Sequence, residues 1–314
     1  MPPEHRNSLI EICARETGLT QSEVVSIAAT GPKRYFVYTI DKRSGGKRTI
    51  CHPSRELKAL QYVFLDKILA NLPVHDAATA YKTGASIKEN ARRHEGSRVI
   101  LKLDFENFFP SITVGDWTPF AEAVLGWNAD EIKFSAYVMF WGAGGYEPTA
   151  LSIGAPTSPL ISNAMMFGFD SAMSEYAAAH GQVYTRYADD IVISATDFLD
   201  KPGAMAAVQQ SINGAAIAGL KLNSHKTRLA SKATMRQITG LKITNEGRVS
   251  LGRERKRLIR SMVHRALSGR VAGGANATLS GLLSFAKDVE PTFYGSLLVK
   301  FGEEKMTALL KGKV

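Results

Sequence analysis

Asp189 and Asp190 stand side by side in Tyr184-Thr-Arg-Tyr-Ala-Asp-Asp-Ile-Val-Ile-Ser, a stretch otherwise made of strand-forming residues. Val183 and Tyr184 precede the pair and Ile191, Val192 and Ile193 follow it, so the flanks favour buried strands. Two adjacent anions repel each other, and in a half-buried setting they destabilise a fold unless a cation neutralises them. A tight hairpin with Ala188, Asp189 and Asp190 at its tip, facing a divalent metal, resolves the conflict. A solvated Asp-Asp turn is the plainer alternative, and a third carboxylate from elsewhere decides between them. Asp104 supplies that carboxylate at the end of a strand-like run over 98–104. If the two segments are neighbours in one antiparallel sheet, three carboxylates converge. Such a set can hold two Mg²⁺ ions roughly 3.5–4 Å apart for in-line phosphoryl transfer, and Mg²⁺ prefers these hard oxygen ligands. One ion would activate an attacking hydroxyl, the other would neutralise a triphosphate and its leaving pyrophosphate.

The surrounding pattern predicts the elements that must position these groups. Two short helices fill the first thirty residues, with Thr20 and Glu23 as a capping box. Residues 35–41 and 47–52 alternate around Arg43-Ser44-Gly45-Gly46-Lys47, a hairpin with a basic tip. Leu57, Leu60, Phe64, Leu65 and Ile68 recur at helical spacing, predicting a helix over 55–72. In the 98–104 strand, Val99, Leu101 and Leu103 share one face and Ile100, Lys102 and Asp104 the other. Helices are expected over 114–142, from Pro159 to about 180, and over 202–218, with short strands at 235–243 and 247–251. The class is α+β with a mostly antiparallel sheet. The last sixty residues differ: Leu258, Ile259, Met262, Val263 and Ala266 make an apolar stripe among Arg253, Arg255, Lys256, Arg257, Arg260, His264 and Arg265. That helix is either a solvated basic face or a nucleic-acid grip.

Bulk properties narrow the partner. With 39 Lys and Arg against 29 Asp and Glu, the 314-residue chain carries a net charge of +10, which points to a polyanion, nucleic acid first. No uncharged apolar stretch is long enough for a spanning helix. The N-terminus lacks a signal-peptide layout. Cys13 and Cys51 have no metal-ligand spacing, so free thiols in a reducing cytoplasm are expected. Carboxylates and charge together favour a nucleotidyl transferase.

Five ordered blocks resemble those of bacterial reverse transcriptases: Phe-Val-Tyr-Thr-Ile (36–40), Arg-Thr-Ile-Cys-His-Pro-Ser-Arg-Glu-Leu-Lys-Ala-Leu-Gln (48–61), Leu-Asp-Phe-Glu-Asn-Phe-Phe-Pro-Ser-Ile (103–112), Gly-Ala-Pro-Thr-Ser-Pro (154–159) and Tyr-Thr-Arg-Tyr-Ala-Asp-Asp (184–190). Within that group the chain resembles retron reverse transcriptases. Asn90-Ala-Arg-Arg-His94 fits the Asn-Ala-x-x-His signature of the retron insertion, and Ile238-Thr239-Gly240 fits a Val-Thr-Gly block with Ile for Val. The likeness runs in order over about 30–300. Intron-encoded relatives normally carry more sequence after the thumb.

The resemblance implies a right-hand polymerase: an N-terminal helical extension (1–30), fingers with the retron insertion (31–97), a palm with an antiparallel sheet (98–250, with fingers elements at about 114–150) and a helical, RNA-binding thumb (251–314). Asp104, Asp189 and Asp190 become the palm carboxylates, with the Phe105 carbonyl as a further metal ligand. Phe109 falls at the steric gate that would exclude a ribonucleotide 2′-hydroxyl, although it also suits an ordinary core. Lys47 and Arg48 match positions that contact the incoming triphosphate; an exposed hairpin tip is their alternative. Gly154 belongs to the nucleotide pocket. Lys226 aligns with a lysine proposed to protonate pyrophosphate, or is a plain surface lysine. Thr239, Gly240 and Leu241 would form the primer grip, although a strand glycine often marks a bulge. Asn90, His94, Arg253, Arg255, Lys256, Arg260 and Arg265 are assigned to RNA; for His94, hydrogen bonding within the insertion is the stronger alternative to catalysis. Where the family often has Gln before Gly-Ala-Pro, this chain has Ile153, which removes one side-chain amide from the nucleotide pocket.

The implied activity is RNA-directed synthesis of DNA from deoxynucleoside triphosphates on a structured non-coding RNA that is both template and primer. Priming from an internal guanosine 2′-hydroxyl would give branched multicopy single-stranded DNA, in a phage-defence retron with a separate effector protein. A non-catalytic RNA- and effector-binding scaffold and an intron-type enzyme with ordinary 3′ priming are the alternatives. The intact trio argues against the first, and the Asn90–His94 block against the second.

Overall fold

A computed structural model of the chain describes residues 8–41, 45–270 and 275–312. Two helices come first, α1 (Leu9–Thr17) and α2 (Gln21–Ala29). The expected capping box starts α2: Thr20 Oγ1 accepts from the Glu23 N–H at 3.2 Å, and Glu23 Oε2 accepts from the Thr20 N–H at 2.8 Å. Strands β1 (Tyr35–Asp41) and β2 (Lys47–Pro53) pair antiparallel as a two-stranded ribbon. Arg43 and Ser44 of the expected tip lie outside the described residues. The alternation in β1 buries neither face, because Phe36, Val37, Tyr38 and Ile40 are all exposed.

Several helices are shorter than their periodicity predicts. Helix α3 (Arg55–Val63) passes into a π-helical turn at Phe64–Ile68, where the Leu69 N–H bonds back to the Phe64 carbonyl. After α4 (Ile87–Arg92) and β3 (Val99–Asp104), the helix expected over 114–142 is divided into α5 (Val114–Phe120) and α6 (Ala129–Met139). A π-turn follows α5, Gly126 at φ +62° closes it, and Asn128 caps α6. Helices α7 (Ser158–Met165) and α8 (Phe167–Ala179) replace the single helix expected up to 180. The carboxylate hairpin follows as β4 (Val183–Tyr187) and β5 (Asp190–Ala195), then α9 (Lys201–Asn213). Beyond it lie β6 (Arg228–Ser231), which the sequence pattern did not announce, and β7 (Gln237–Ile238), β8 (Leu241–Ile243) and β9 (Val249–Ser250). Among the described residues four helices follow: α10 (Arg253–Leu267), α11 (Ala275–Val289), α12 (Pro291–Phe301) and α13 (Glu303–Leu310).

The fold is α+β. A four-stranded sheet runs in the order β4-β5-β3-β6, and β7-β8-β9 form a three-stranded antiparallel sheet. Strand β3 is internal, so Ile100 and Leu101, on opposite faces, are both fully buried. The chain divides into two compact units. One comprises Met1–Gly84, Lys102–Ile191 and Asp200–Arg228. Its core includes Phe64, Trp117, Trp127 and Phe140, with the Trp117 indole donating to Ser135 Oγ at 3.0 Å. The other comprises Ala85–Leu101, Val192–Leu199 and Leu229–Val314, and its core gathers Ala91, Ile238, Leu241, Ile259, Val263 and Leu283. Leu258, expected in the apolar stripe of α10, is half exposed instead.

Candidate active site

The three aspartates reach one place through short backbone links within the first unit. Asp104 ends β3, and the next residue, Phe105, donates its N–H to the Asp189 carbonyl at 3.1 Å. The β4–β5 turn consists of Ala188 and Asp189 alone, and Asp190 opens β5. Ala188 takes φ +57°, a left-handed backbone that costs a non-glycine residue roughly 1–2 kcal/mol. From the other side, the 221–223 segment is laced to the end of β3: the Glu106 N–H donates to the Lys221 carbonyl and the Asn223 N–H to the Asp104 carbonyl, both at 2.8 Å. This brings Lys226 onto Asp104, Nζ to Oδ1 at 2.7 Å.

The electrostatics of the cluster follow from this crowding. Burial, then repulsion from Asp104, holds the Asp189 carboxyl above its ordinary range. Burial does the same for Asp190; Lys102 opposes it, and Asp189 and Asp104 reinforce it. A pocket of about 190 Å³ opens here, lined by Lys102, Leu103, Asp104, Asp190, Lys226 and Arg228. Among the described residues no three His, Cys, Asp or Glu side chains are gathered tightly enough to hold an ion as they stand. The donor chemistry nevertheless fits a hard divalent cation: carboxylate oxygens only, mutually repelling, with Asp104 neutralised by the movable ammonium of Lys226.

Beneath the turn lies a polar network that sequence reasoning missed. Arg186 is fully buried and forks onto Asp170, Nε to Oδ1 at 2.8 Å and Nη2 to Oδ2 at 2.6 Å. Its Nη1 donates to Asn163 Oδ1 and to the Ala188 carbonyl, each at 3.1 Å, which pins the strained turn. Tyr184 Oη donates to Asp170 Oδ1 at 2.6 Å. The available signal was an arginine in an apolar strand, which demands a buried acid, and Asp170 is an acid in an otherwise apolar helical stretch.

The other expected residues of this unit are placed as follows. Phe109 is half-buried, its ring 6.3 Å from that of Tyr81 and 5.5 Å from that of Phe108. Lys47 and Arg48 are exposed on β2, and Arg48 is near enough to Asp189 to favour its charged form. Gly154 takes φ +118°, and a Cβ there would stand 3.0 Å from the Cys51 carbonyl oxygen, so glycine lets this loop lie against β2. The Ile153 carbonyl accepts from the Cys51 N–H at 2.8 Å, so this position contributes through its backbone.

Sequence comparison identifies what this geometry belongs to. The reverse transcriptase (RNA-dependent DNA polymerase) family matches residues 40–243. The retron Ec83 reverse transcriptase of Escherichia coli is 34% identical over 284 residues, covering 88% of this chain and 90% of that protein. The retron Ec86 reverse transcriptase, also of Escherichia coli, is 32% identical over 286 residues, with 88% and 85% covered. This chain belongs to the retron reverse transcriptases. The retron Mx162 reverse transcriptase of Myxococcus xanthus is 31% identical over 301 residues, covering 87% of this chain and 61% of that longer relative. Among solved structures, telomerase from Candida albicans in complex with a TWJ fragment of telomeric RNA is similar at a TM-score of 0.47 and 13% identity, covering 92% of this chain and 58% of that one. The enzyme is an RNA-directed DNA polymerase of the right-hand class, from a family that works with divalent metal ions on an RNA template.

In the second unit of the reverse transcriptase, two expectations are corrected. Asn90 and His94 are fully buried, so neither side chain offers a surface to RNA. His94 Nδ1 lies 2.7 Å from Ser194 Oγ, and burial pushes the imidazole pKa down to about 3. Thr239 and Gly240, at φ +45° and +85°, form the two-residue turn between β7 and β8, and Thr239 Oγ1 donates to the Ile87 carbonyl at 3.1 Å. Leu241 is buried in the core. On α10, Arg253, Arg260 and Arg265 are exposed. Arg255 lies over the Phe285 ring, Arg260 over that of Phe293, and Lys256 pairs with Glu290. Among the described residues no helix is long and apolar enough to cross a membrane.

Proposed function

We propose that this reverse transcriptase copies a cognate structured non-coding RNA that is both its template and its primer. Synthesis starts from the 2′-hydroxyl of an internal guanosine and yields branched multicopy single-stranded DNA, in a phage-defence retron with a separate effector protein, in the cytoplasm. The observation that carries the catalytic part is the convergence of Asp104 with the Ala188–Asp189 turn through the Phe105 N–H. In this reading residues 1–30 are an N-terminal extension, 31–97 the fingers with the retron insertion, 98–250 the palm with fingers elements at about 114–150, and 251–314 the thumb.

Asp104, Asp189, Asp190 and the Phe105 carbonyl would hold two Mg²⁺ ions, which when bound supply charge neutralisation and an acidified attacking hydroxyl. Arg48 and Lys47 meet the triphosphate of the incoming nucleotide, and Gly154 keeps the loop beside β2 close enough to shape its pocket. Lys226, an ammonium already on Asp104, stands ready to give a proton to the leaving pyrophosphate. Phe109 closes the sugar pocket against a ribose. The Thr239–Gly240 turn and the start of β8 at Leu241 hold the primer through their backbone, and the exposed Arg253, Arg260 and Arg265 grip RNA phosphates.

The priming chemistry has its own test. DNA made by the enzyme on its RNA is isolated, treated with ribonuclease and then with an enzyme that cleaves only 2′,5′-phosphodiesters. The expected outcome is a DNA that keeps a ribonucleotide stub and loses it on 2′,5′ cleavage. A product unchanged by that cleavage, with a 3′,5′ junction, would replace 2′ priming by ordinary priming.

A further inference from the structure

Tyr81 combines three properties that ordinary core or surface packing does not require together. Its aromatic side chain is 49% exposed. Its backbone stands at φ +60°, a region that bulky L-residues rarely occupy. Its ring packs on Phe109, with centroids 6.3 Å apart and planes inclined at 46°. Left-handed backbone at a tyrosine persists only where the surroundings impose it, and such strain gathers at functional sites.

The surroundings here are the same ones that fix the catalytic turn. The Arg186 N–H donates to the Ala77 carbonyl at 2.8 Å, and the Thr79 N–H donates to the Arg186 carbonyl at 2.7 Å. Asn163 Nδ2, on the buried network that holds Ala188, donates to the Ala80 carbonyl at 2.9 Å. Residues 77–80 are therefore locked to β4, and the chain is forced to deliver Tyr81 beside Phe109. Burial raises the Tyr81 phenol, Asp189 raises it further and Arg48 opposes the rise, so the ring is within electrostatic reach of both.

We propose that Tyr81 is a positioning residue for sugar discrimination, holding Phe109 rigid against a ribonucleotide 2′-hydroxyl. The inference rests on the reading of Phe109 as the gate. An apolar wall rejects one added hydroxyl only weakly when it can yield. Phe109 is backed by Phe108, whose ring lies 5.6 Å from Phe105, and Tyr81 provides a second support. The two ring supports and the buried hydrogen bonds behind Tyr81 make the wall stiff.

The test is single-nucleotide incorporation on one RNA template, comparing kcat/KM for a deoxynucleotide and the matching ribonucleotide. The variants are Tyr81→Ala, Tyr81→Asn, Tyr81→Phe and Phe109→Val, each checked for an unaltered melting transition. Asn is included because it tolerates positive φ and removes the ring without adding strain. Tyr81→Asn and Tyr81→Ala are expected to lower the deoxy-to-ribo ratio about tenfold, while Tyr81→Phe retains it. If Phe109→Val relaxes the ratio and neither ring deletion does, Tyr81 does not position the gate. Equal losses for both sugars in the Tyr81 variants would overturn it as well. An unchanged ratio in Phe109→Val would instead remove the gate reading itself.

Discussion

His94 illustrates how a single buried side chain ties this enzyme to pH. Its imidazole is fully buried against Ser194 Oγ, and burial lowers its pKa from an ordinary 6.5 to about 3. The unfolded chain therefore takes up a proton near pH 6.5 that the folded chain refuses until about pH 3. The contribution is complete above pH 6.5 and is lost as pH falls towards 3, with a slope of at most about 1.4 kcal/mol per pH unit. Urea unfolding of the parent and of His94→Gln between pH 7.5 and 4.5 measures it. The parent is expected to lose stability more steeply below pH 6.5 than the variant, and parallel curves would remove His94 from the titration. The same burial explains why His94 serves the fold of the 85–101 segment and not the RNA surface.

At the scale of elements, the β4–β5 hairpin owes its geometry to a buried ion pair. Arg186 binds both oxygens of Asp170 and the Ala188 carbonyl, so the Ala188–Asp189 turn and helix α8 share one polar anchor. Asp170→Asn removes the charge but almost no volume, leaving a buried guanidinium without its anion. Destabilisation of about 3–5 kcal/mol is expected from such a broken pair. The change in unfolding free energy from urea titration checks it, and a change below about 0.5 kcal/mol would mean that the buried Arg186 does not depend on the Asp170 charge. These elements also show what the sequence could disclose. The hairpin and Asp104 were legible because adjacent carboxylates among β-branched residues have few acceptable placements. The breaks at Phe64–Ile68, Gly126 and Met166 were not, since apolar periodicity runs on through them and only backbone hydrogen bonding reveals the interruption. Tyr81 was hidden for a different reason: its positive φ follows a segment, 77–80, that is held by residues 163 and 186, far away in sequence.

For the whole molecule, charge and chemistry are separable. The net charge of +10 is spread over many residues, including exposed arginines on α10, whereas the proposed chemistry is assigned to three carboxylates in one unit. A polyanion held by many dispersed cations loses little when one distant aspartate is neutralised. Catalysis, in contrast, has no substitute for an oxygen ligand of a divalent cation. The most direct measurement is RNA-templated deoxynucleotide incorporation by the parent, Asp189→Asn and Asp190→Asn, alongside RNA binding by the same proteins at one salt concentration. Both variants are expected to lose DNA synthesis by at least about a thousandfold while their RNA affinity changes less than about threefold. Synthesis at the parental rate in either variant would contradict the assignment of the active site to Asp104, Asp189 and Asp190.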